Sequence, residues 1–307
     1  MTSSGLSLVT GAGGFIGRRL VAMLRDRGRA VVGWTRSDCD LDEALAVMRG
    51  VGELAPATIY HLAAMKAAPE ATDWTVAARE VEMLDHLASA MPDGARLIHT
   101  GTMSEYGRSG THAEDDWRRP TSLYGFAKAA ATDRAIALAS TGTCDVRVAR
   151  LFGVYGPGEG PARLVPHLVA SLLRGEPVAL RDPLQVRDLM HVDDICDRLI
   201  ALADAALPPA PVVNFGTGVG VEIGRVARSV ADHLGADPAL LRFNALPPRA
   251  IDDPRLIADV TRLRAIGPVP TQYWAPFAGP ARSYVDDLRS VIEDTARTGL
   301  AQNASRI

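Results

Sequence analysis

At 307 residues, with 47% hydrophobic and 22% charged side chains, the chain has the composition of a packed globular protein. It is long enough for one large domain or two moderate ones. A formal net charge of −3 gives no basic face for a nucleic acid. Cys39, Cys144 and Cys196 form no CxxC or Cys/His cluster, residues 1–20 carry no secretory pattern and no apolar run reaches about 18 residues; a disulfide framework, a metal site, export and membrane spanning are therefore not expected, and a cytoplasmic location is.

Leu6 to Val9 reads as a first strand, Arg18 to Arg27 as a helix with apolar face Leu20, Val21 and Leu24, and Ala30 to Trp34 as a second strand. Between the first two lies Thr10-Gly11-Ala12-Gly13-Gly14-Phe15-Ile16-Gly17. Gly11 permits the tight turn, Gly14 lets the backbone approach a pyrophosphate and Gly17 allows close helix–strand packing. The helix N-terminus, with Phe15 and Ile16 in its opening turn, supplies oriented N–H groups. A strand–glycine loop–helix of this kind predicts dinucleotide binding.

The second strand runs out into Thr35-Arg36-Ser37, without the carboxylate that would hold an NAD ribose. Arg36 is suited to a 2′-phosphate, so NADP(H) is favoured and NAD(H) remains possible; Asp40 is placed to hydrogen-bond the adenine.

Helix patterns at Leu41 to Arg49, Asp73 to Ala90 and Leu123 to Ala139 alternate with strand patterns at Thr58 to Leu62, Arg96 to Thr100 and Asp145 to Leu151. Repeated βα units demand right-handed crossovers and a parallel sheet. The expected fold is α/β, a Rossmann-type doubly wound parallel sheet with a smaller C-terminal substrate-binding domain. The expected division is residues 1–152 for the nucleotide-binding domain, rejoined by about 185–205, and 153–184 with 206–307 for the smaller one.

Only two lysines occur, Lys66 and Lys128, and the second follows Tyr124 by four residues, one helical turn on the same face. A phenol is a poor acid–base catalyst near neutrality. A neighbouring ammonium and the positive nicotinamide would stabilise its anion. A hydroxyl from Thr100-Gly101-Thr102-Met103-Ser104 would complete a triad.

With His61-Leu62-Ala63-Ala64, Thr102 to Gly107, Arg150 to Pro157 and Val186 to Asp194, these segments resemble, in order and over nearly the whole chain, the extended short-chain dehydrogenase/reductases, the NAD-dependent epimerase/dehydratase family. The resemblance implies Thr102, Tyr124 and Lys128 as catalytic residues, with Ser104 as the alternative hydroxyl and a second substrate contact. It adds Leu62, Ala63, Ala64 and Lys66 to the cofactor site, and Arg187 and Arg249 as grips on a substrate diphosphate. It implies a nucleotide-sugar substrate and a homodimer built on the helix that carries Tyr124, whose Ala127, Ala129, Ala130, Ala131, Ile136 and Leu138 are small or apolar on several faces.

Departures from the pattern narrow the activity. Met103-Ser104 stands where nucleotide-sugar dehydratases carry an Asp-Glu pair, Glu80 and Gly153 where many members have asparagine, while Glu105 stays near enough to serve as an acid. The favoured reading is a reductase of an NDP-4-keto-(6-deoxy)hexose. The alternatives are a 4-epimerase that retains NAD and a non-catalytic NADP-sensing module, which the intact triad disfavours.

Overall fold

In the computed structural model, which describes residues 5–65, 73–142, 144–206, 211–248, 253–274 and 276–304, the N-terminal half alternates strands and helices: β1 (Ser7–Thr10), α1 (Phe15–Asp26), β2 (Val31–Trp34), α2 (Ala44–Leu54), β3 (Thr58–His61), α3 (Thr75–Ala90), β4 (Arg96–Thr102), β5 (Gly110–His112), α4 (Leu123–Ser140) and β6 (Asp145–Leu151). There follow β7 (Gly153–Tyr155), α5 (Leu164–Leu173), β8 (Val178–Ala179), β9 (Val186–His191), α6 (Val192–Asp204), β10 (Val212–Phe215), β11 (Gly220–Glu222), α7 (Ile223–Leu234), β12 (Leu241–Arg242), β13 (Arg255–Ala258), α8 (Thr261–Ile266) and α9 (Pro280–Ala304).

The main sheet is wholly parallel, in the order β10-β6-β4-β3-β1-β2. Its inner strands are buried on both faces, yet they carry buried polar side chains beside the apolar ones, His61 in β3, His99 in β4, and Arg147 and Arg150 in β6. One face is covered by a core in which Leu20, Val21 and Leu24 of α1 meet Ile195, Leu199 and Ile200 of α6. The other is covered by Val47 and Val51 of α2, Met83, Leu84 and Leu87 of α3, and Ala135 of α4. A third core, from Tyr155 to Val285, joins α5, α7 and α9 beside the smaller sheet β11-β9-β13-β5, in which β7 also pairs with β9.

The division of the chain differs from the sequence expectation in three places. The last strand of the main sheet is β10, from the 206–307 stretch assigned to the smaller domain. Of the segment expected to rejoin the nucleotide-binding domain, only α6 does so, through α1; β9 pairs within the smaller sheet. β5, inside residues 1–152, also belongs to that sheet, where it pairs with β13. Strands of three to six residues carry too little periodicity to declare their sheet, and long-range pairing assigns them.

Candidate active site

The chain goes from β1 to β2 on one side and returns to place β3 on the other, and an open α/β sheet leaves a crevice at such a reversal, beyond the carboxyl ends of its strands. A cavity of about 840 Å³ opens there, walled by Gly11, Gly13 and Gly14, by Thr35, Arg36 and Asp40, by Leu62, Ala63 and Ala64, and by Tyr124. Gly11 has φ +67°, and a Cβ on it would lie 2.7 Å from the Ala63 amide nitrogen, so only glycine lets the first loop rest against the turn after β3. Gly14 caps α1 in an extended conformation and no side chain caps that helix, which leaves its first N–H groups for an anion. The side chains of Phe15 and Ile16 pack on the core, so these two can serve a ligand through their backbone, while Gly17 is buried against the backbone of Gly11 and Ala12. Glycine cradle, uncapped helix and cavity size fit a dinucleotide.

Beyond β2, Arg36 remains largely exposed and donates from Nε to Asp40 Oδ2 (3.1 Å) and from Nη2 to Asp42 Oδ2 (3.3 Å). Asp40 is thus engaged by Arg36 and by the Asp42 amide, although it lines the cavity as expected. A guanidinium has five donors, so these two bonds leave others for a phosphate.

α4 begins where the Ser122 hydroxyl accepts from the Gly125 amide (3.1 Å). A Cβ on Gly125 would stand 2.6 Å from the Ser104 carbonyl, so glycine brings this first turn against the segment after β4. Tyr124 faces the cavity, and Lys128, a turn later, is buried with 3% exposure. Its Nζ lies 2.5 Å from Oε1 of Glu80 on α3, itself 1% exposed, in a buried ion pair. The other Glu80 oxygen accepts from the Met65 amide (2.8 Å) in the loop that lines the cavity. Burial works against the Lys128 ammonium, but Glu80 chiefly, then Tyr124 and Glu105, outweigh it and hold Lys128 above the usual ammonium range.

His61 and His99 stand beside this pair, their ring centroids 5.3 Å apart. Burial first and the Lys128 charge second push His61 down to about 4 and His99 well below the ordinary imidazole value. The Thr10 hydroxyl meets His61 Nδ1 at 2.9 Å, whereas His61 Nε2 and both His99 nitrogens have no hydrogen-bond partner among the described residues.

Thr102 ends β4 and caps the short turn Met103–Glu105, its hydroxyl accepting from the Ser104 amide at 3.3 Å and reaching Ser104 Oγ at 3.5 Å. Both bonds are long, and the hydroxyl can turn to a ligand at small cost. Glu105 cannot serve as the acid the sequence left open. It is fully buried, with Oε1 accepting from the Thr102 amide (2.8 Å) and the Thr132 hydroxyl (3.1 Å), and Oε2 from Arg150 Nε (3.0 Å) and Arg118 Nη1 (3.3 Å).

Arg187, at the start of β9, donates to the carbonyls of Val186 and Asp253 (2.9 and 2.8 Å) and is not part of the cavity wall. Lys66 and Arg249 lie outside the described residues. The sequence reading overlooked the ion contact of Glu80 with Lys128 and the clamp of Arg150 on Glu105. An acidic residue where asparagine is usual was the one visible signal of the first.

Residues 7–216 match the NAD dependent epimerase/dehydratase family. The chain belongs to it. It is 34% identical over 285 residues to the dTDP-4-dehydrorhamnose reductase of Streptomyces griseus, covering 87% of this chain and 90% of that one. It is 32% identical over 248 residues to the dTDP-4-keto-6-deoxy-D-glucose reductase of Streptomyces niveus, covering 76% and 81%. Among solved structures it is similar to MoeE5 in complex with UDP-glucose and NAD, with a TM-score of 0.80 and 29% identity over 94% of this chain and 100% of that chain. The chain is thus an enzyme of the extended short-chain dehydrogenase/reductase type, dependent on NAD(P).

Proposed function

We propose that the chain reduces the 4-keto group of a nucleotide-activated (6-deoxy)hexose, with NADP(H) preferred. The observation that carries this reading is Tyr124 on the wall of the dinucleotide cavity with the Lys128 ammonium buried one turn behind it. A dinucleotide held in this cavity would supply hydride for the carbonyl carbon. Tyr124 gives its phenolic proton to the oxygen, Thr102 donates a hydrogen bond to the same oxygen, and Lys128 stabilises the phenolate left behind and holds the cofactor's ribose. The engagement of Glu105 with Arg118, Arg150 and Thr132 speaks against elimination, because it leaves that carboxylate, three residues after Thr102, no free oxygen for a substrate proton. The NADP preference rests on Arg36 at the cavity edge, and Arg187 and Arg249 remain the proposed diphosphate contacts.

A homodimer and a cytoplasmic location belong to the same proposal. No disulfide links the described cysteines, and no helix among the described residues is long and apolar enough to cross a membrane. Of the α4 residues expected at the interface, Ala127, Ala129 and Ala131 are buried within the chain and Ala130, Ile136 and Leu138 are half-buried, while Trp74 and Phe126, whose rings stand 5.4 Å apart, are exposed. Sedimentation at the mass of one chain at micromolar concentration would contradict a dimer. The activity is tested by NADPH oxidation with a dTDP-4-keto-6-deoxyhexose: stoichiometric consumption and an alcohol product are expected. Interconversion of C4 epimers without net cofactor turnover would replace reduction by epimerisation.

A further inference from the structure

We propose that Glu80 is a positioning residue whose carboxylate fixes Lys128 and the cavity loop at Met65 together, and whose charge keeps the Tyr124–Lys128 pair in the protonated form from which a carbonyl is reduced. The proposal rests on the reading of Tyr124 and Lys128 as the reducing pair. Glu80 spans two elements of the site, with Oε2 accepting from the Met65 amide at 2.8 Å and Oε1 placed 2.5 Å from Lys128 Nζ. Asparagine or glutamine could repeat the bond to the amide. Neither could supply the charge.

The groups that act electrostatically on Lys128, or feel it, come from every side: Glu80 on α3, His61 on β3, His99 on β4, Glu105 in the turn after β4, and Tyr124 on its own helix. The two imidazoles are held neutral by burial and by Lys128. Glu105 is already answered by Arg150 and Arg118. Among the described residues, Glu80 is therefore the negative charge in this set that no arginine meets. With Glu80 ionised, loss of a proton from the Tyr124–Lys128 pair leaves a net negative charge in a buried site; without it, the same loss leaves none. The carboxylate thus opposes deprotonation of the pair. Reduction starts from the pair that still holds the proton the new alkoxide takes, so the charge extends to higher pH the range over which the site can reduce a carbonyl.

Two lysines in the chain make a direct test practical. Full-length protein labelled with 13Cε-lysine gives two side-chain signals by NMR, assigned with Lys66→Arg. In Glu80→Gln the Lys128 titration should move to lower pH, and the basic limb of kcat/KM for NADPH-dependent reduction should move to lower pH with it. Glu80→Asp, which keeps the charge, should restore the limb toward that of the unmodified protein. An unchanged Lys128 titration in Glu80→Gln overturns the proposal even if activity falls, since a merely structural glutamate would affect rate and not protonation. If Glu80→Gln does not fold, Glu80→Asp carries the test, because withdrawing the carboxylate by one methylene should move the Lys128 titration in the same direction by less, and no movement overturns it. If the unmodified protein reduces no keto sugar, the proposed function fails, while the NMR titration still decides the part played by Glu80.

Discussion

Glu105 and Glu80 are both shut away from solvent beside the proposed catalytic groups, yet what surrounds them differs in what is left unpaired. Every contact of Glu105 is answered: amide, hydroxyl and two guanidinium groups converge on it, and Arg150 continues to the Tyr106 phenol (2.8 Å) and the Glu114 carbonyl (3.3 Å). Beside Glu80, by contrast, whose one cation is Lys128, His61 Nε2 and both His99 nitrogens have no hydrogen-bond partner among the described residues. Buried polar groups are nearly always satisfied, and unmet ones gathered beside a cavity mark where a ligand or ordered water completes the network. The Glu105 network is closed and holds the end of β4 in place. The Glu80 set is open and stands where the chemistry is proposed.

That contrast separates effects on stability from effects on turnover. Arg150→Met leaves Glu105 buried without its main cation and should cost about 3–5 kcal/mol of folding stability. Denaturant unfolding that registers under about 1 kcal/mol would mean the network is not the scaffold described. Tyr124→Phe touches the open side only: turnover should fall at least about a hundredfold, or about 2.7 kcal/mol, with cofactor binding and stability retained. Steady-state kinetics on a keto sugar nucleotide checks this, and near-normal rates would remove Tyr124 from the mechanism.

Arg36→Ala should weaken NADPH and leave NADH unchanged. The loss should sit at the low end of about 1.5–3 kcal/mol, because Arg36 is exposed and shared with Asp40 and Asp42. Fluorescence titration with both cofactors reads it, and equal losses would reject the NADP assignment.

The smallest effect concerns His99, buried and held neutral in the fold. The unfolded chain takes up its proton near the ordinary value of 6.5 while the folded protein refuses it, so this residue contributes stability above that pH that is lost as pH falls below it. His99→Phe keeps a ring in place and should flatten part of the acid-side decline in unfolding free energy. Parallel curves for the two proteins below pH 6.5 would show that His99 carries none of it.

The features that could be read from sequence are those whose physics is local. A strand, a glycine turn and a helix start must be contiguous to bind a pyrophosphate, so Thr10 to Gly17 declared itself, and a four-residue spacing puts Tyr124 and Lys128 on one face wherever that helix packs. The alternation of βα units gave the sheet for the same reason. What depended on chain segments meeting across the fold was not legible: β10 closing the large sheet, β5 joining the small one, Arg150 disarming Glu105, and α3 laying Glu80 against Lys128. Residue type shows only that a carboxylate is present. Whether it is a clamp, a counter-ion or an acid depends on the charge and hydrogen-bond donors that tertiary packing brings within reach, and in this protein packing gave two nearby glutamates opposite surroundings.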